Sequence, residues 1–122
     1  MTRHLFFAIP ALVFVSCTSA FDDSIKQGSF NSCPEYTVET LVNGFFSDPV
    51  WESFVSPDDD KYHLNVSGGI LYGEEDANAL IQFEFLEEDN WQINAFEINN
   101  VPQNDFIIEE LVVAMCDEMT NS

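Results

Sequence analysis

Positive charge is the scarcest property of this sequence. Only three of its 122 residues are Lys or Arg, against 22 Asp plus Glu, for a formal charge of −19. The one arginine is Arg3, and the lysines are Lys26 and Lys61. Nucleic acid is bound through Lys and Arg contacts to phosphate, so the balance argues against it as a partner. Adsorption to anionic lipid headgroups is disfavoured for the same reason. There is no Gly-rich phosphate loop and no arginine clamp in the body of the chain.

Histidine is nearly as rare, with only His4 and His63. A Ser-His-Asp site would have to use His63, with a serine such as Ser67, but no nucleophile-elbow sequence is present. On the polar side of a strand, His63 reads as a surface side chain. One histidine and two cysteines expected to be oxidised make a poor zinc set. No cofactor and no enzymatic activity are expected. If acid–base chemistry were present, the carboxylates of Glu84, Glu97 and Asp89 would be where to look.

Long apolar runs are absent apart from one at the start. Arg3 and His4 precede an apolar stretch from Leu5 to Val15, and small residues follow from Ser16 to Ala20. That order reads as a secretory signal over residues 1–20. The run is shorter than the roughly 20 residues a bilayer span requires. Two cleavages compete. Thr18-Ser19-Ala20 suits an ordinary signal peptidase, while Phe14-Val15-Ser16-Cys17 resembles a bacterial lipobox, which would leave Cys17 lipidated at the new N-terminus. The expected location is the periplasm, the outer membrane or cell surface, or the medium. Membrane contact is expected only through the lipid anchor. Residues 21–27 read as a polar tether, and residues 28–122 as a single domain. Removing the signal leaves two lysines, no arginine and all 22 acids, a charge of −20.

Cysteine is also sparse: Cys17, Cys33 and Cys116. With Cys17 lipidated or removed, Cys33 and Cys116 remain in an oxidising compartment and are expected to pair. The bridge closes a loop of more than 80 residues, which the chain-entropy argument values at about 4–5 kcal/mol. A redox pair usually has closely spaced cysteines, and this spacing does not support one.

What is abundant is apolar and aromatic: 46% hydrophobic residues and 12 Phe, incompatible with a disordered acidic tail. Thr37 to Phe46 reads as a helix, with Thr37 as N-cap and Val38, Leu41, Val42, Phe45 and Phe46 on one face. Four strands follow: Val50 to Ser56, Tyr62 to Tyr72, Ala77 to Glu87, and Trp91 to Asn99. Gly68-Gly69 predicts a bulge or bend in the second of these. A change of phase predicts a bulge near Ala95 in the fourth. A last helix spans Phe106 to Met119, with Asp105 as cap and Ile108, Leu111, Val112, Met115 and Met119 as its apolar stripe. The expected fold class is α+β: a four-stranded antiparallel meander with two helices on one face, and an optional edge strand at Gly28 to Asn31.

Three acidic clusters fall at the expected hairpin turns: Asp58-Asp59-Asp60, Glu74-Glu75-Asp76 and Glu87-Glu88-Asp89. Alternate turns of a meander share an end. The first and third clusters are therefore expected to gather six carboxylates, a set that Ca²⁺ would accept. The bland reading is a solvated acidic surface, since turns favour Asp. Trp51 and Trp91 read either as core or as an aromatic binding strip on the open sheet face. Asn65-Val66-Ser67 fits a glycosylation sequon but falls within a strand.

The stretch Leu41 to Phe54, containing Asn43-Gly44-Phe45-Phe46 and Asp48-Pro49-Val50-Trp51, combines with Asn65-Val66-Ser67-Gly68-Gly69, Ile81-Gln82-Phe83 and Asn94 to Gln103. Together these segments resemble an uncharacterised small bacterial extracytoplasmic domain, of a kind that sits behind a lipid anchor or a membrane segment. The resemblance covers about residues 26–119 and implies no catalytic residues. In architecture alone, helices on one antiparallel sheet behind a lipobox are similar to envelope-assembly lipoproteins and β-lactamase-inhibitor-like modules. The expected function is a non-catalytic envelope or secreted module that binds an unidentified protein or ligand. The alternatives are an inhibitor or immunity-type protein for a basic target, or a calcium-binding surface module.

Overall fold

The computed structural model describes residues 20–88 and 90–121. The signal region, its cleavage positions and Cys17 lie outside the described residues. Residues 21–27, expected as a tether, are folded instead. A helix over residues 20–26 (α1) buries Ile25 completely. Phe21 meets the rings of Tyr62 and Phe85 at 4.9 and 4.8 Å. The Tyr62 hydroxyl donates to the Asp22 carboxylate. Phe21 and Ile25 are four positions apart, one helical turn, and that spacing drives the segment onto the sheet. The folded body therefore begins by residue 20 rather than at residue 28.

Gly28 to Asn31 form a loop, not an edge strand. Gly28 lets the indole of Trp91 lie against the loop, since a Cβ there would meet Trp91 Nε1 at 2.8 Å. The loop is tied to the next helix by the Val38 N–H, which donates to the Gly28 carbonyl at 2.8 Å. That helix, α2 (Val38–Phe45), starts as expected: Thr37 Oγ1 accepts from the Thr40 N–H at 3.2 Å, satisfying one of its free donors.

Five antiparallel strands follow in the order in which they are written: β1 (Ser47–Val55), β2 (Tyr62–Tyr72), β3 (Glu75–Phe85), β4 (Trp91–Ile98) and β5 (Val101–Pro102). The meander is as expected, and the turn around Pro102 adds the short fifth strand. Asn99 and Asn100, both at positive φ, make the tight β4–β5 turn, and Gly73 and Glu74 do the same between β2 and β3.

Two irregularities position side chains. The bend expected at Gly68-Gly69 falls on the partner strand. The β2–β3 register runs unbroken through Gly68↔Ala79, while β1 bulges between Ser47 and Val50, with Asp48 at positive φ. Gly68 is required there because a Cβ would stand 2.8 Å from the Ser47 carbonyl oxygen. The bulge expected near Ala95 is present: Gln82 faces Ala95 and Phe83 faces Ile93, leaving Asn94 as the extra residue. It returns Phe96 and Ile98 to the same buried face as Ile93.

The last helix, α3 (Asp105–Thr120), is capped by Asn104 rather than Asp105; Asn104 Oδ1 accepts from the Ile107 N–H at 3.0 Å. Leu64, Val66, Ile81 and Phe83 of the sheet form one buried cluster with Ile25 of α1, Val38, Leu41 and Val42 of α2, and Leu111 and Met115 of α3. Cys33, in the loop before α2, is disulfide-bonded to Cys116 on α3, with Cα atoms 5.9 Å apart and both residues buried. Among the described residues no helix is long and apolar enough to cross a membrane.

Candidate functional site

Strand alternation directs the even-numbered residues of β2 into the core and the odd-numbered ones to the opposite face. His63 belongs to that opposite face, where a surface position was expected. It is instead only 4% exposed, and Glu84 beside it only 6%. The register explains the meeting: across the sheet Phe54, His63, Glu84 and Gln92 stand in one row. Phe54 stacks on the imidazole at 5.3 Å with planes 11° apart. Gln92 Nε2 donates to Glu84 Oε1 at 2.9 Å.

The β1–β2 turn covers the row from above. Ser56 N–H donates to the Lys61 carbonyl and Asp60 N–H to the Ser56 carbonyl, which curls the turn back over the face. Lys61 thereby brings its Nζ to 3.4 Å from Glu84 Oε2, and Asp59 its Oδ1 to 3.7 Å from His63 Nε2. The second distance exceeds hydrogen-bond reach, so both ring nitrogens of His63 are buried without a hydrogen-bond partner. Asn65, next along the same face, likewise leaves its Oδ1 unpartnered. The Lys61 backbone N–H, donating to Asp59 Oδ1 at 2.9 Å, is the main cause holding the Asp59 carboxyl below its ordinary value of 3.8. The nearby His63 and Lys61 charges act in the same direction, and desolvation opposes them.

Asp59, His63 and Glu84 place one ligand atom each within 4.8 Å of one another. Among the described residues this is the only group of three or more His, Cys, Asp or Glu side chains that converges so closely. Of the six carboxylates expected along one edge, only Asp59 belongs to this group. Asp58, Asp60, Glu87 and Glu88 are exposed, and Asp89 lies outside the described residues. Glu97 faces Leu80, four positions along β3 from Glu84, so the backbone positions of the two acids are about 14 Å apart, which does not favour acid–base partnership.

The tryptophans do not form a strip on the open face. Trp51 stacks on Phe83 at 6.5 Å and carries Lys26 Nζ at 4.9 Å from its ring centroid. Trp91 meets Phe83 edge-on at 5.7 Å and Phe30 at 5.5 Å. Both are half-buried against the core. Alternation assigns them to the inward face, and α1 with its following loop covers them there. An apolar groove of about 350 Å³ runs between α3 and the strand ends, lined by Ile70, Tyr72, Phe96 and Phe106 among others.

No family model matches the chain, and neither does any curated protein or solved structure. Fold and site together define a small, disulfide-linked, strongly acidic α+β domain with His63 and Glu84 buried on the open face of its sheet.

Proposed function

We propose that the chain is an exported, non-catalytic binding module of the cell envelope, held at the membrane by a lipid on Cys17. The observation that carries this reading is the Cys33–Cys116 disulfide. Such bonds persist in oxidising compartments and are rare where thiols are kept reduced. The apolar run Leu5 to Val15 and the Cys17 that follows supply the route and the anchor.

Intact mass of the protein recovered from envelopes tests it. The expected product begins at Cys17, carries the mass of attached acyl chains, and lacks the two hydrogens of the Cys33–Cys116 thiols. A product retaining residues 1–16, with both thiols free, would overturn the reading. Cleavage after Ala20 without lipid would keep the export and remove the anchor.

A second reading is favoured by charge. With 22 acids against two lysines after the signal, the module is suited to masking a basic cleft, as an inhibitor or immunity-type protein does. Binding to such a target would be fast and would weaken steeply with salt. Association with a partner that is insensitive to salt would argue against it.

A further inference from the structure

His63 is the anomaly of the open sheet face. A neutral imidazole carries one donor and one acceptor nitrogen, and burying such groups unsatisfied is costly. Here both nitrogens are buried without a hydrogen-bond partner, in a side chain only 4% exposed. Two carboxylates converge on it: Asp59 from the turn above and Glu84 from the neighbouring strand. An imidazole nitrogen that finds no hydrogen bond, with two carboxylate oxygens at hand, matches the donor set of a metal site.

We propose that Asp59, His63 and Glu84 bind a divalent transition-metal cation of the Zn²⁺ class, with the remaining position open to water. Metal–ligand bonds of about 2.0–2.2 Å space tetrahedral ligand atoms about 3.4 Å apart. The His63 Nε2 to Asp59 Oδ1 distance is 3.7 Å, and all three ligand atoms lie within 4.8 Å. Asp59 stands on a turn with its side chain 41% exposed, so closing the set takes side-chain rotation without moving the sheet. Imidazole nitrogen selects for zinc and its neighbours over Ca²⁺ and Mg²⁺, which prefer all-oxygen sets.

Lys61 supplies the site with its present positive charge. Its Nζ lies 3.4 Å from Glu84 Oε2, while its own side chain is 49% exposed. A metal would take over that charge and release the ammonium to solvent. Lys61 is therefore a competitor of the cation, which gives the proposal an unusual signature. The proposal stands apart from the export reading and does not depend on it.

Titration of the full chain with ZnCl₂ by calorimetry, with the His63 ring followed by NMR, tests it. One equivalent of Zn²⁺ should bind and shift the His63 ring signals. Asp59→Asn should weaken binding at least tenfold, and His63→Gln should abolish it. Lys61→Met should tighten it several-fold. If His63→Gln fails to fold by circular dichroism, Asp59→Asn and Lys61→Met decide, because both replace exposed turn residues. No saturable binding at millimolar Zn²⁺ would overturn the proposal. So would equal affinity in Asp59→Asn, which would mark diffuse binding to the acidic surface. Full displacement of Zn²⁺ by equimolar Ca²⁺ would overturn the assigned metal class.

Discussion

Lys26 Nζ sits 4.9 Å from the ring centroid of Trp51. This contact commits one of the two lysines beyond Arg3 to the body of the domain, and Lys61 on Glu84 commits the other. The contact also shows that α1 belongs to the fold, since Lys26 reaches Trp51 only because Ile25 beside it is buried in the core.

Ile25→Ala should therefore behave as a core mutation. Emptying a fully buried isoleucine site costs about 2–5 kcal/mol, whereas Lys26→Ala removes a cation–π contact worth about 0.5–1 kcal/mol. Urea unfolding should rank the two variants in that order. Equal midpoints for Ile25→Ala and the wild type would mean that α1 does not dock.

Reducing the disulfide should cost about 2–5 kcal/mol, the usual loss for a small exported domain. The double variant Cys33→Ser/Cys116→Ser should match the reduced wild type. Its loss should appear as a lower denaturant midpoint without reductant present.

Gly68→Ala should destabilise by about 1–3 kcal/mol through overpacking, because the new methyl would stand 2.8 Å from the Ser47 carbonyl oxygen and 3.1 Å from the Phe46 ring. Gly69→Ala meets nothing closer than 3.5 Å, so its effect should be markedly smaller. Thermal melting of the pair separates a close backbone approach from a general intolerance of strand residues there.

Asp22 gives a pH signature. Burial, chiefly, raises its carboxyl above 3.8; Lys26 opposes this and Asp23 adds to it. A raised acid favours the fold while it is protonated, and that contribution is lost as pH rises through the folded-state value. Asp22→Asn, which cannot ionise, should therefore melt higher than the wild type at neutral pH, and the gap should close below about pH 4. Solvent screening at this partly exposed site keeps the gain under about 1 kcal/mol. Melting curves from pH 3 to 7 would show it.

The alternation of β2 and β3, the phase change at Ala95 and the Thr37 cap were legible in the sequence because each is a local pattern. The site was harder to see. Alternation puts His63 and Glu84 on the polar face of their strands, but their meeting depends on register. Counting outward from the two-residue turn Gly73-Glu74 pairs them, whereas placing the turn at Glu74 to Asp76 hides it. Asp59 enters by the curl of the turn through Ser56 and Lys61, and no periodicity encodes that. Phe21 and Ile25 stand at helical spacing, but the charged and polar residues between and after them read as a tether.

The docking of α1 has a further consequence if Cys17 carries a lipid. Phe21 already rests on Tyr62 and Phe85, four residues from that cysteine, a reach of at most about 14 Å. Tyr62 and Phe85 stand beside the β1–β2 and β3–β4 turns. A lipid on Cys17 would then hold the domain in a restricted pose, with Asp58, Asp59, Asp60, Glu87 and Glu88 turned toward the headgroups. At that standoff, anionic lipids would repel the acidic end, and counter-ions drawn into the gap would set how closely the domain rides on the bilayer.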